Sequence, residues 1–227
     1  MAEAADRMIE KARELVSNRL LWPLVRDFLW DFVPSIHESW IGGLEGLEGW
    51  KFGSFPSRIK CHILSSLGVE PCFHTFPKED GSRVLLLDGV MLESMAKWLG
   101  ALACTDTLRC VTDGATVREL KAALPGIYPE VFGYTMYFGS LEALKFGCLD
   151  DGKFGGADIE KVGCALMLQS LSSLPVPLMH RLKLKFPKGM TDMELPDLKT
   201  SKLPNLQTSI FKLLKLKFPE AYKLCCS

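Results

Sequence analysis

The sequence predicts an all-α protein, a compact multi-helix domain of about eight to ten helices with little or no sheet. Three observations carry this. Apolar residues recur at the 3.6-residue period from Met8 to Leu214. Prolines and glycines fall between the apolar stripes, where helices start and stop. A chain of 227 residues with 48% hydrophobic and 24% charged residues buries enough surface to fold without disulfide staples.

Taken in order, Met8, Ala12, Leu15, Val16 and Leu20 predict an amphipathic helix over 6–21. Pro23 breaks or restarts it, and Leu24, Phe28 and Phe32 form a second stripe ending at Pro34. The stretch from Ile41 to Trp50 has four glycines and no helical period, which reads as a loop. Ser54 near the cap and Pro56 in the first turn start a helix that runs to about Leu67 and stops at Gly68. Pro71, Pro77 and Gly81 keep 70–82 in loop. Arg83 to Cys104 reads as one helical stretch with Val84, Leu87, Met91, Met95 and Trp98 close to one face. A short element follows around Leu108. Asp113 precedes a short helix bearing Val117, Leu120 and Leu124, closed by Pro125-Gly126. Val131, Tyr134, Phe138 and Leu141 mark the next helix, which Gly147 and Asp150-Asp151-Gly152 end. Asp158 caps another, with Ile159, Val162, Leu166 and Met167 on its face, ending before Pro175.

One hexapeptide occurs twice, as Leu182-Lys183-Leu184-Lys185-Phe186-Pro187 and as Leu214-Lys215-Leu216-Lys217-Phe218-Pro219. Its alternation alone fits a strand. Its flanks favour helix, since Leu178, Leu182 and Phe186 stand at i, i+4 and i+8, as do Leu206, Ile210 and Leu214. The second helix is expected from about Leu203 to Phe218, packed through Leu206, Ile210, Leu213 and Leu214. The organisation expected is a single helical domain over 1–227, with an N-terminal helical segment 1–40, a Gly-rich loop 41–54 and a basic C-terminal helical region 181–227.

Lys+Arg and Asp+Glu are both 27, so net charge gives no argument for nucleic acid. The charge is unevenly spread. From Arg181 to Ser227 ten Lys/Arg face four Asp/Glu, +6, which leaves −6 for the rest. Lys183 and Lys185, and Lys212 and Lys215, are expected on outward helix faces. With Lys217 they form a solvated basic surface suited to an acidic protein partner. The first residues are mixed in charge and lack the apolar core of a signal peptide, and uncharged apolar runs such as Trp98 to Cys104 fall far below the roughly 20 residues of a membrane span. A cytoplasmic location is expected. The eight cysteines, irregularly spaced and without C-x-x-C, then read as reduced, buried thiols.

Chemical motifs are sparse. His37-Glu38 begins like H-E-x-x-H, but position 41 is isoleucine. No G-x-S-x-G or phosphate-binding P-loop occurs, and Asp150-Asp151-Gly152 lacks the remaining ligands of a calcium loop. Cys61, His62, Cys72 and His74 are zinc-type ligands within fourteen residues. Cys61 and His62 are adjacent on a helix and point about 100° apart, so both hardly reach one ion. Cys225-Cys226 resembles the prenylated ends of some small GTPases, but an inert tail is expected.

The run Leu99-Gly100-Ala101-Leu102-Ala103-Cys104, then Arg109-Cys110-Val111-Thr112-Asp113-Gly114, Leu120 to Pro125, Val131-Phe132-Gly133-Tyr134, Arg181-Leu182-Lys183-Leu184 and the closing Leu214 to Pro219, resembles the SctK family. This family, also called YscK or PscK, is an accessory component of bacterial type III secretion systems. The resemblance spans roughly residues 85–220. It implies a non-enzymatic protein with no cofactor, in the sorting platform beneath the injectisome. There it would link the cytoplasmic domain of the SctD-like inner-membrane ring protein to the SctQ-like pod protein, and the pods connect through an SctL-like stator to the export ATPase. It implies a location peripheral to the inner-membrane base, with no membrane insertion and no nucleic acid partner. The competing classes are an all-helical enzyme or metal-binding protein using Cys61, His62 and His74, and a basic helical nucleic-acid module.

Overall fold

The computed structural model describes residues 18–42, 56–77, 80–138, 155–192 and 206–226. Among the described residues the protein is all-α, with eleven α-helices, four short 3-10 turns and no strand. No described helix is long and apolar enough to cross a membrane. The expected helix over 6–21, the Gly-rich loop and the end of the helix after Phe138 lie largely or wholly outside the described residues.

The chain divides into two compact units. The first draws on the chain up to Gly89, on Leu174–Pro187 and on the residues from Lys223 onward. The second comprises Val90–Ser173 and Lys188–Tyr222.

In the first unit, α1 (Leu21–Trp30) buries Leu21, Val25, Phe28 and Leu29. Pro23 sits in its first turn, where a missing N–H breaks no helical bond, so the proline starts this helix. Asn18 supports the start, its Oδ1 accepting from the N–H groups of Leu20 and Leu21 at 3.1 and 3.0 Å. A 3-10 turn (Val33–Ser35) and the short α2 (Glu38–Ile41) follow. Helix α3 (Ser57–Ser66) has Pro56 at its cap rather than inside the first turn, and Ile63 is its buried residue. It ends as expected at Gly68, whose φ of 65° suits glycine. The Gly68 and Val69 N–H groups bond back to the Ser65 and Leu64 carbonyls at 3.0 and 2.8 Å, a Schellman closure.

The expected single helix from Arg83 is interrupted. Ser82–Leu86 form a 3-10 turn, Leu87 is extended, and α4 runs from Gly89 to Ala103. Ser82, Arg83, Val84, Leu85 and Leu86 are all buried, so this stretch has no solvent face for a helix to present. Helix α9 (Val176–Leu184) completes the unit's described core, burying Leu178, Arg181, Leu182 and Leu184.

In the second unit, α5 (Thr105–Cys110) follows α4. Helix α6 (Gly114–Ala123) is capped by Asp113, its carboxylate accepting from the Thr116 N–H and hydroxyl at 2.8 Å each. Helix α7 (Ile127–Tyr134) runs into a 3-10 turn (Thr135–Tyr137), and Phe138 is buried beyond it. At α8 (Gly156–Ser170) the cap differs from expectation. Gly155 is the N-cap, and Asp158, three residues on, reaches back to accept from the Gly155 N–H at 3.0 Å.

Helices α4 and α8 meet where neither has a side chain. A methyl on Gly100 would collide with the Ile159 carbonyl oxygen and stand 3.0 Å from the Gly163 nitrogen. A methyl on Gly163 would collide with the Ala96 carbonyl oxygen and stand 2.8 Å from the Gly100 nitrogen. Gly156 likewise lies against the Ala123 methyl of α6.

Helix α10 (Leu206–Lys217) packs on α8, with Leu206, Ile210, Leu213 and Leu214 buried and Lys212 exposed, the facing that periodicity predicts. Leu213→Ala is expected to destabilise the protein by about 2–5 kcal/mol and Lys212→Ala by less than about 0.5 kcal/mol. Thermal melts of the two variants side by side check the facing, and equal shifts would contradict it. After Phe218 the short α11 (Pro219–Cys226) closes the described chain.

Candidate functional site

Both copies of the hexapeptide end a helix, and the helical reading holds for each. The facing of their lysines divides within each copy. Lys183, Lys212 and Lys215 are exposed. Lys185 and Lys217 are not the solvated groups expected. Lys185 stands seven residues after Leu178 and three after Leu182, and Lys217 stands seven after Ile210 and three after Leu214, so the apolar period carries both onto the packed face.

Lys185 is 3% exposed. Its Nζ donates to the Leu85 and Leu87 carbonyls at 2.6 and 2.7 Å and lies 5.0 Å from the centre of the Phe28 ring. These carbonyls are left over where the 3-10 turn ends, so the ammonium satisfies acceptors that the interrupted helix would otherwise orphan. Burial pushes the Lys185 amine down to about 7, with the Asp88 carboxylate opposing the shift. One turn earlier, Arg181 is 2% exposed and donates from Nη1 to the Phe28 carbonyl at 2.7 Å and from Nη2 to the Glu70 carbonyl at 3.1 Å. Its guanidinium lies over the Phe28 and Phe32 rings at 5.9 and 5.2 Å. Both cations are therefore solvated by backbone carbonyls and aromatic faces. The last carbonyls of this stretch are held in turn, Leu184 by the His37 N–H and Phe186 by Trp40 Nε1, each at 2.8 Å.

Beside this stitch is a cavity of about 290 Å³. Leu24, Phe28 and Leu224 supply apolar wall, Asp27, Ser35 and Asp88 supply polar groups, and Lys185 lines it as well.

Lys217, in the second unit, pairs with Glu130 and lies over the Trp98 and Tyr134 rings at 4.4 and 4.2 Å. Burial works against its charge, but the Glu130 carboxylate and the Tyr134 hydroxyl outweigh it and hold the ammonium above its ordinary value. Tyr134 continues the cluster to Tyr137, whose ring is 6.3 Å away and which is 64% exposed.

The sequence-predicted metal ligands are not brought together. Cys61 and His62 are exposed on α3. Cys72 lies beside Arg181. His74 is engaged elsewhere, its Nδ1 accepting from the Phe76 N–H at 3.0 Å and its Nε2 standing 3.4 Å from Asp80. Phe76 holds a φ of 50°, unusual for a bulky residue, and Arg83 Nε donates to its carbonyl at 2.9 Å. His74 and Arg83 thus hold the backbone at Phe76. Among the described residues no three His, Cys, Asp or Glu side chains form a group able to hold a metal ion.

No disulfide joins any two of the seven described cysteines, and their burial is mixed. Cys104, Cys164 and Cys225 are buried, Cys72 is half-buried, and Cys61, Cys110 and Cys226 are exposed. Burial pushes the Cys104 and Cys225 thiols up to about 12, as expected of inert core thiols. Sequence reasoning missed Lys185, Arg181 and Lys217 as packed groups, although their i+3 and i+7 relation to apolar residues marks them.

Comparison with known proteins gives no match: no family model, no curated protein and no solved structure aligns with the chain.

Proposed function

We propose that this protein is a non-enzymatic scaffold of the cytoplasmic sorting platform of a bacterial type III secretion injectisome. In this reading it links the SctD-like inner-membrane ring protein to the SctQ-like pod protein. The observation that carries the reading is the outer face of α10. Lys212 and Lys215 project there with Leu216, 47% exposed, while the opposite face of the same helix is buried. Two solvated ammonium groups beside an accessible leucine suit an acidic protein surface with an apolar contact at its centre. Of the stretches that resemble the SctK family, Gly100 lies at the α4–α8 crossing and Asp113 at the α6 cap.

Lys212→Glu with Lys215→Glu tests the reading, and Lys217 is left in place because a glutamate there would face Glu130. The double variant is expected to melt like the wild type. It should weaken binding to either the ring protein's cytoplasmic domain or the pod protein by about tenfold or more, and flatten the salt dependence of that contact. Binding to both partners unchanged would leave the basic face as a solubilising surface and sink the proposal.

A further inference from the structure

We propose that Lys185 is a nucleophilic amine at the wall of a ligand pocket, and that this pocket takes a small, uncharged aldehyde or ketone held as a reversible imine. The inference is independent of the scaffold reading. It starts from a combination that a purely structural lysine does not require. The Lys185 residue is 3% exposed, yet it lines an open cavity of about 290 Å³, at the small end of ligand pockets. Bulk water solvates the residue poorly, while the cavity brings a small molecule to the same side chain.

The hydrogen bonds orient the nitrogen. A neutral amine has two N–H groups, and the Leu85 and Leu87 carbonyls at 2.6 and 2.7 Å accept both. The remaining tetrahedral position then carries the lone pair. The depressed basicity of Lys185 leaves much of it neutral at ordinary pH, whereas exposed lysines are almost wholly protonated. The charged groups around it are Asp27 from α1, which Arg26 pairs at 2.8 Å, and Asp88 from the segment before α4, both carboxylates lining the cavity, with Arg181 one turn away on α9.

The step balances without oxidant or reductant. The lone pair adds to the carbonyl carbon, the C–N bond forms and the π pair moves to oxygen. Nitrogen gives up its two protons, the oxygen leaves as water, and C=N replaces C=O. A carboxylate at Asp88 can take and return a proton. Protonated on nitrogen, the imine keeps one N–H, so one of the two carbonyl bonds is surrendered. The pocket also selects by charge. Leu24, Phe28 and Leu224 accept an apolar body. Asp27 is paired with Arg26, but Asp88 repels an acidic body, which disfavours keto acids.

The test is reductive trapping on the full chain. Wild-type protein is treated near neutral pH with benzaldehyde and cyanoborohydride, and modified lysines are mapped by peptide mass spectrometry. Lys185 is expected to label at least about tenfold faster than the exposed Lys183, Lys212 and Lys215. With 4-formylbenzoate, the same body bearing a carboxylate, labelling at Lys185 should fall by about tenfold. Lys185→Arg should lose the fast site and keep the slow ones. Should that variant fail to fold, the wild-type map decides alone. Labelling at Lys185 no faster than at the exposed lysines would overturn the proposal, and equal rates with the two aldehydes would overturn its charge selection.

Discussion

Gly163→Ala is expected to destabilise the protein by about 3–5 kcal/mol, a large effect for one methyl group. The added carbon would meet backbone, namely the Ala96 carbonyl and the Gly100 nitrogen, with no flexible side chain to give way. Relief requires α4 and α8 to separate, which opens the contacts of Ala96, Leu99, Ile159 and Leu166, all buried. Gly133→Ala is the matched control. That glycine is exposed in α7 with nothing within 4 Å of a new methyl, so alanine there should stabilise by about 0.5–1 kcal/mol through helix propensity. Urea unfolding of both variants gives opposite signs if the crossing is as described. A wild-type midpoint for Gly163→Ala would refute it.

Lys185→Met is the second large expected effect, and it changes with pH. The methionine fills much of the space but leaves the Leu85 and Leu87 carbonyls unpaired, at about 1–3 kcal/mol each. The wild type carries its own pH dependence. Its Lys185 is depressed to about 7 when folded, against 10.5 for an ordinary lysine, so between these values the unfolded chain binds one more proton than the folded one. Stability contributed by this residue therefore rises with pH across that window, by up to about 1.4 kcal/mol per pH unit, and is flat below about pH 7. The gap between wild type and Lys185→Met should widen from about pH 7 to about pH 9. Parallel denaturation curves at the two pH values check this, and a gap that narrows would contradict the lowered basicity of the buried amine.

Much of the fold was legible from residue spacing. The apolar face of α10, the Asp113 cap and the Gly68 stop follow from local rules, because each is decided within one helical turn. The break at Leu87 was not legible. Arg83 to Cys104 satisfies the helical period throughout, and the acceptor-rich turn that replaces one helix persists because Lys185, about 100 residues later, collects its carbonyls. The candidate site failed for a related reason. A lysine reads as solvated until its ring and carbonyl partners are known, and Phe28, Leu85 and Leu87 are distant in sequence from Lys185. Only the mismatch between charge and apolar period at Lys185 and Lys217 marked them in advance.

The interleaving of the two units also sets an order of events during synthesis. Phe28 and Arg181, joined by a hydrogen bond in the first unit, are 153 residues apart. At about 5–20 residues per second, a ribosome takes about 8–30 s to cover that interval. The second unit's segment Val90–Ser173 emerges whole in between. The aromatic cluster of Phe28, Phe32 and Phe76 thus leaves the ribosome long before the helix that covers it, and for that interval it is the nascent chain's exposed apolar surface, the kind that holding chaperones bind.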